Sequence, residues 1–190
     1  MMMRNLGGRW GYVAKALHWS AAALIITMLG LGLTMVHGGL GSGAKFETYQ
    51  LHKEIGFFVL AVMLVRGLWR MANSSPAFPA AMRPWERQLA RAFHLSFYIL
   101  IAAMIASGWL MVSASPLPFP AHLLGGFIVP NLTGPNALLE ARSKLIHEVL
   151  SKLLIAAIGV HIAAALKHHF VDKDRVLLRM LPFYHGDKRA

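Results

Sequence analysis

Four long apolar stretches follow one another along the chain, separated by polar segments rich in glycine and proline. A membrane-spanning helix needs about 20 mostly apolar residues. The pattern predicts four transmembrane helices, at about 16–36, 49–70, 90–114 and 138–170. The first and third carry almost no charge within their apolar runs, whereas the second and fourth include Lys, Arg and Glu. We therefore expect the second and fourth helices to need a polar or cofactor-filled interior.

The connections are typical of loops. The first is rich in glycine, and the second and third are broken by proline: they cover residues 37–47, 73–84 and 115–136. Asn136 is a predicted N-cap for the fourth helix. The expectation is an all-α integral membrane protein with one membrane domain, 1–190, that ends in an amphipathic tail, 171–190.

Composition excludes several classes of function. The chain is 56% hydrophobic and only 14% charged, which is too apolar for a typical soluble domain. Its net charge of +11 does not indicate nucleic-acid binding, because the basic residues flank the apolar stretches and form no single patch. Without any cysteine, the chain has no disulfide, no zinc–thiolate site and no covalent haem attachment.

Lysine and arginine predict the orientation, since they concentrate on the cytoplasmic side of membrane proteins. They cluster before the first helix, around the second connection and after the fourth helix: Arg4, Arg9, Lys15, Arg66, Arg70, Arg83, Arg87, Arg91, Lys167, Lys173, Arg175, Arg179, Lys188 and Arg189. Both termini are therefore expected in the cytoplasm.

Histidines within apolar helices are the candidate functional residues, because ionisable groups there usually face a partner, a cavity or a metal. The predicted topology gives each one a depth. His52 and His147 lie near the outer ends of the second and fourth helices, and His18 and His161 lie toward the cytoplasm. His147 and His161 are 14 residues apart, which is nearly four turns and about 21 Å. They share one face at two depths, and each has a single counterpart on another helix.

This geometry suits two stacked metal centres, paired as His18 with His161 and His52 with His147. Bare metal ions are one alternative, but two axial ligands per plane suit haem iron better. Gly32 and Gly56 can make room for a porphyrin, and Arg66 can pair with a haem propionate. Helix packing for the glycines, and contact with lipid headgroups for Arg66, are equally open.

Four stretches resemble the bacterial cytochrome b561 family: "LHW" at 17–19, "LHKEIG" at 51–56, "IHEVL" at 146–150 and "GVHIAAALKHHFVDKDRVLLRMLP" at 159–182. The resemblance covers all four helices and is most specific in the fourth. It implies a bundle enclosing two non-covalent haems b, with the same histidine pairs as ligands, in the bacterial inner membrane.

The resemblance also implies an oxidoreductase that transfers electrons from a small anionic donor at the periplasmic face, superoxide, to ubiquinone near the cytoplasmic face. It implies a quinone site near His168, with His169 as the weaker candidate. His94 has no partner in this scheme and is expected to be structural or a minor part of the quinone pocket. His37, His122 and His185 are expected to be solvated.

Two other functions remain open from the sequence. The chain can be the haem-b subunit of a larger dehydrogenase or hydrogenase complex, with a protein partner that the sequence does not identify. It can also be a cofactor-free transporter that uses its histidines as a proton relay. The absence of visible inverted repeats argues mildly against the transporter.

Overall fold

A computed structural model describes residues 3–5, 9–117, 119–123 and 126–184 of the chain. Four long helices make up most of it: α1 (Tyr12–His37), α2 (Ser42–Ala72), α3 (Pro84–Ser113) and α4 (Ala137–Phe170). All four are long and apolar enough to cross a membrane. The prediction of a bundle of four membrane-spanning helices is confirmed.

The helices run up and down, so the bundle has two distinct ends. We call one the basic end, where α1 and α3 begin and α2 and α4 end, and the other the loop end. Helix α1 packs along α2, and α3 packs along α4. Val59, Ile101 and Leu154 form the buried centre of the bundle and join α2, α3 and α4. Many large apolar side chains remain exposed on the outside, among them Ile26, Leu64, Ile99 and Val160, as expected of a surface that faces lipid.

Three helices begin earlier than the apolar pattern predicts, because each includes polar residues before its apolar part. Helix α3 starts with Pro84 in its first turn, and the Glu86 carboxylate accepts a hydrogen bond from the Arg83 amide at 3.1 Å. Helix α2 starts at Ser42, inside the predicted glycine-rich loop, after a turn in which Gly39 has a φ of +60°. Helix α4 starts as predicted, because the Asn136 side chain accepts a hydrogen bond from the Leu139 amide at 3.0 Å.

The third connection contains a short antiparallel pair of strands that the sequence did not predict. Strand β1 (His122–Leu123) pairs with β2 (Phe127–Ile128). The connection is fastened to the end of α3, where Ser113 Oγ accepts a hydrogen bond from the Leu132 amide at 3.0 Å. The Asn136 amide also donates to the Ala114 carbonyl at 2.8 Å. These contacts hold the described part of the connection against the end of α3.

The segment after α4 folds back under the basic end. It contains one short helix, α5 (Val176–Met180). The buried Lys15 ammonium donates to the carbonyl oxygens of Leu181 at 3.0 Å and Tyr184 at 2.7 Å. The Trp19 indole donates to the Met180 carbonyl at 2.9 Å. The rest of the predicted tail, with His185, Lys188 and Arg189, lies outside the described residues.

We expect Lys15→Met to release the segment that contains α5. Methionine fills the same space but leaves two carbonyls without their charged donor, and such hydrogen bonds contribute about 1.5–3 kcal/mol each. Trypsin should then cleave the purified protein after Arg175 or Arg179 about tenfold faster or more. Lys45→Met is the matched control, because Lys45 is exposed at the loop end. Equal cleavage rates in the two variants would contradict this role of Lys15.

Candidate functional site

Two pairs of histidines lie inside the bundle, one above the other. His52 of α2 faces His147 of α4, with 6.5 Å between ring centroids. His18 of α1 faces His161 of α4, with 6.3 Å between centroids. We call them the loop-end pair and the basic-end pair. Helix α4 contributes to both because its two histidines are about 21 Å apart along one face. The structure therefore brings together the pairs that the sequence predicts.

The spacing within each pair matches two imidazoles that ligate one metal ion from opposite sides. A metal–imidazole bond is about 2 Å, and a ring centroid lies about 1 Å behind its nitrogen, so the centroids should be about 6 Å apart. Packed rings without an ion usually lie 4.5–7 Å apart, so the distance is compatible with ligation but does not require it. The hydrogen bonds of each ring are more specific.

His147 is held in the protonation state that a metal ligand needs. Its Nδ1 lies 3.0 Å from the Met104 carbonyl oxygen and 3.1 Å from Ser107 Oγ. A carbonyl only accepts, so Nδ1 carries the proton and Nε2 keeps a free lone pair. Metal-ligating histidines commonly donate their other N–H to a backbone carbonyl in this way, which fixes the tautomer and the ring orientation.

His52 supplies the second ring of the loop-end pair. Its Nδ1 is buried and has no hydrogen-bond partner among the residues that the structure describes. An unpaired polar atom in an apolar interior is costly, and a bound group can account for it. Gly32 lies beside this ring, where an added Cβ would be 3.7 Å from His52 Cε1. Gly32 is therefore next to the pair, as predicted from its spacing.

Gly108 of α3 is a further residue of the loop-end pair that sequence reasoning missed. A Cβ at this position would lie 3.1 Å from His147 Cε1 and 3.3 Å from Nδ1. Only a residue without a side chain lets the ring rest on α3, close to Met104 and Ser107. Its position inside an apolar helix could have indicated this role, because a glycine there usually allows close packing.

The basic-end pair has a third histidine beside it. His94 of α3 lies 5.8 Å from His161 between ring centroids, and Phe97 lies 5.4 Å from the same ring. His94 had no predicted partner, because the depth argument paired only the other four histidines. By distance alone, His161 has two neighbouring imidazoles, His18 and His94.

Arg66 lies at the depth predicted for it, but its described partner is a histidine. Its Nη1 is 3.0 Å from His18 Nδ1. A guanidinium only donates, so Nδ1 of His18 accepts and the proton of the neutral ring is on Nε2. If a metal were held at Nε2, the ring proton would lie on Nδ1 and the contact with Arg66 would be lost. The planar fork of donors of Arg66 would then be available for a carboxylate.

The remaining predicted residues have different surroundings. Gly56 faces Met28 of α1, with 3.4 Å from an added Cβ to Met28 Cε, so it allows α1 and α2 to pack closely. His168 lies at the end of α4, 2.7 Å from Asp174 Oδ2. His169 packs against Phe170 and away from that contact. His37 and His122 are exposed, as expected.

A membrane bundle with paired histidines from facing helices is the arrangement of a membrane cytochrome. Residues 9–183 match the family described as prokaryotic cytochrome b561. The chain belongs to this family, which makes it a multi-pass membrane protein of electron transfer that binds b-type haem.

Three relatives show how far the similarity extends. Cytochrome b561 homolog 2 of Escherichia coli (strain K12) is 33% identical over 181 residues, 95% of each chain. Cytochrome b561 homolog 1 of the same organism is 30% identical over 172 residues, 87% of this chain and 93% of the relative. The probable superoxide oxidase CybB of Yersinia pestis is 30% identical over 136 residues, 72% of this chain and 76% of the relative.

Gly108→Val should weaken haem binding. Its side chain overlaps the His147 ring, and such overpacking costs about 1–3 kcal/mol, so we expect haem release to apomyoglobin to be about tenfold faster. Gly159→Val is the matched control on α4, because no neighbouring atom lies within 4 Å of an added Cβ there. Haem release at the same rate in both variants would contradict the role of Gly108.

Proposed function

We propose that this chain binds two haems b between its histidine pairs and transfers electrons from superoxide at the periplasmic face of the bacterial inner membrane to ubiquinone near the cytoplasmic face. When bound, the haems supply reversible one-electron chemistry. The basic end is the cytoplasmic end in this proposal, in agreement with its Lys and Arg content.

The observation that carries the proposal is the stacking of two histidine pairs at ligand spacing, 6.5 Å and 6.3 Å between centroids. The hydrogen bond from His147 Nδ1 to the Met104 carbonyl supports ligation at the loop-end pair. The buried Nδ1 of His52 has no partner among the described residues, so this ring can also contact a bound group. Haem iron held by both histidines of a pair would leave no coordination position for a substrate, which fits electron transfer.

Charges around the basic-end pair favour electron flow toward the cytoplasm. Arg66 touches His18, and both Arg66 and Arg70 are near enough for their charges to act on His94. Fixed cations stabilise added negative charge in a low-dielectric interior. The rings of the loop-end pair instead contact neutral groups, the Met104 carbonyl and the Ser107 hydroxyl, and the nearby Lys53 contacts backbone carbonyls and not a ring. An electron is therefore better stabilised at the basic end.

A cation next to the loop-end pair supports an anionic donor. Lys53 follows His52 directly, and its ammonium donates to the carbonyl oxygens of Phe119 at 2.6 Å and Pro120 at 3.4 Å. Carbonyls carry no net charge, so they hold Lys53 in place without neutralising it. Arg142 and Lys144 are exposed at the same end. Such fixed positive charge raises the capture rate of an anion such as superoxide.

The quinone site belongs to the basic end in this proposal. His168 is seven residues beyond His161 on α4, which places it about 10 Å further along the same face. Ubiquinone needs protons as well as electrons, and an imidazole is the side chain best suited to transfer them near neutral pH. The quinone itself enters from the lipid that surrounds the exposed apolar surface.

Removing one histidine of a pair should remove one haem. We expect His18→Ala to lower the content from two haems per chain to one, because it takes away an axial ligand of the basic-end pair. A pyridine haemochrome assay on detergent-purified protein measures this ratio. His94→Ala is the matched control, since His94 is also within 6 Å of His161. If His94→Ala loses the haem and His18→Ala keeps it, the ligand assignment is wrong.

The donor and acceptor are tested in proteoliposomes that contain ubiquinone. Superoxide generated outside should reduce ubiquinone, as measured by chromatography of the extracted quinols. The reaction should stop with superoxide dismutase or in His147→Ala, which disrupts the loop-end pair. Absence of superoxide-dependent ubiquinol from protein that carries both haems would overturn the proposed donor or acceptor.

A further inference from the structure

The chain reverses direction just after α4 and returns two carboxylates to His168. The Asp172 amide donates to the Lys167 carbonyl at 3.1 Å, and the Asp174 amide donates to the His168 carbonyl at 3.0 Å. Lys173, between the two aspartates, has a φ of 53°. Residues other than glycine rarely adopt this conformation, so the turn is held by its surroundings and not by local preference.

Both carboxylates meet the same ring nitrogen. His168 Nδ1 lies 2.7 Å from Asp174 Oδ2 and 3.1 Å from Asp172 Oδ2. The imidazole is the most enclosed of the three side chains, at 13% exposure against 18% for Asp174 and 30% for Asp172. An ionised carboxylate only accepts, so Nδ1 carries a proton and Nε2 is the nitrogen left for another partner.

Each carboxylate is fixed by a second contact. The other oxygen of Asp174, Oδ1, accepts from the Val176 amide at 2.9 Å, where α5 begins. Asp172 is paired with Lys167 at 2.9 Å, and Lys167 also reaches Glu86 of α3 at 3.3 Å. Asp174 is the better-placed acceptor, because its contact with His168 is shorter and it has no competing cation among the described residues.

We propose that Asp174 is a positioning residue for quinone reduction: it holds the Nδ1 proton of His168, so that Nε2 faces and protonates the quinone. This inference rests on the proposed function. Two superoxide anions are oxidised to two molecules of oxygen, and ubiquinone takes up the two electrons and two protons. His168 delivers each proton from Nε2 to a quinone oxygen, and water at the basic end restores it. Asp174 keeps the ring oriented throughout.

The decisive variant is Asp174→Asn, which keeps the shape of the side chain but can present an N–H to Nδ1 and thereby favour the wrong tautomer. A positioned acid–base group contributes about 10²–10⁴-fold to a rate, so we expect ubiquinol formation to fall about 100-fold. The effect should appear in kcat and not in the KM for ubiquinone. Haem content, and haem reduction by superoxide without quinone, should equal those of the wild type.

Two comparisons separate positioning from a structural effect. Asp174→Ala should recover part of its rate when formate is added, because a small carboxylate can occupy the vacated place beside Nδ1. Lys173→Gly is the matched control in the same turn, since glycine adopts the positive φ and both carboxylates remain. It should reduce ubiquinone like the wild type.

Nitrogen NMR of the reduced wild-type protein tests the inference without any destabilising variant. The neutral His168 ring, assigned by its loss in His168→Gln, should carry its proton on Nδ1. A neutral ring protonated on Nε2, or an Asp174→Asn variant with the wild-type kcat, would overturn the inference and leave the proposed function intact. Wild-type protein that makes no ubiquinol from superoxide would overturn the proposed function, and this role of Asp174 with it.

Discussion

Imidazole rings enclosed between apolar helices impose the strictest constraint on this bundle, because a ring nitrogen removed from water needs a partner in the protein or in a bound group. At the loop-end pair, α3 meets that need with the Met104 carbonyl and the Ser107 hydroxyl, both directed at His147. Gly108 lets the ring come close enough to use them. Three neighbouring residues of one helix thus position a histidine of another, which explains why α3 must pack directly along α4.

The two pairs meet the same constraint in different ways. The loop-end pair relies on neutral acceptors, whereas the basic-end pair has the Arg66 guanidinium on His18 and a third imidazole, His94, against His161. The neutral acceptors fix the tautomer of His147 that leaves Nε2 free, whereas the Arg66 guanidinium places a positive charge beside His18. Two sites with similar ring spacing therefore differ in the groups that contact their rings.

The sequence predicted those features that follow from periodicity and depth. Apolar length gave the four helices, and the interval of 14 residues on α4 gave the two pairs. Contacts that depend on the orientation of each helix about its own axis were not predictable, because apolar length does not define which face meets a neighbouring helix. His94 and Gly108 lie on α3, which had no matching interval, and the approach of Asp174 to His168 depends on a turn with a positive φ at Lys173. The start of α3 was missed because the hydrogen bond from the Arg83 amide to the Glu86 carboxylate caps the helix before its apolar part.

At both ends of the bundle, a lysine next to a paired histidine donates to backbone carbonyls of a non-helical segment. Lys15 precedes His18 by one turn of α1 and donates to the Leu181 and Tyr184 carbonyls. Lys53 follows His52 on α2 and donates to the Phe119 and Pro120 carbonyls. In each case a lysine beside a paired histidine fastens a non-helical segment across the end of the bundle. Carbonyl acceptors hold the ammonium in place but leave its charge uncompensated. The two lysines therefore hold backbone segments across the ends of the bundle and keep a positive charge near each histidine pair. An apolar side chain at either position would supply neither the hydrogen bonds nor the charge.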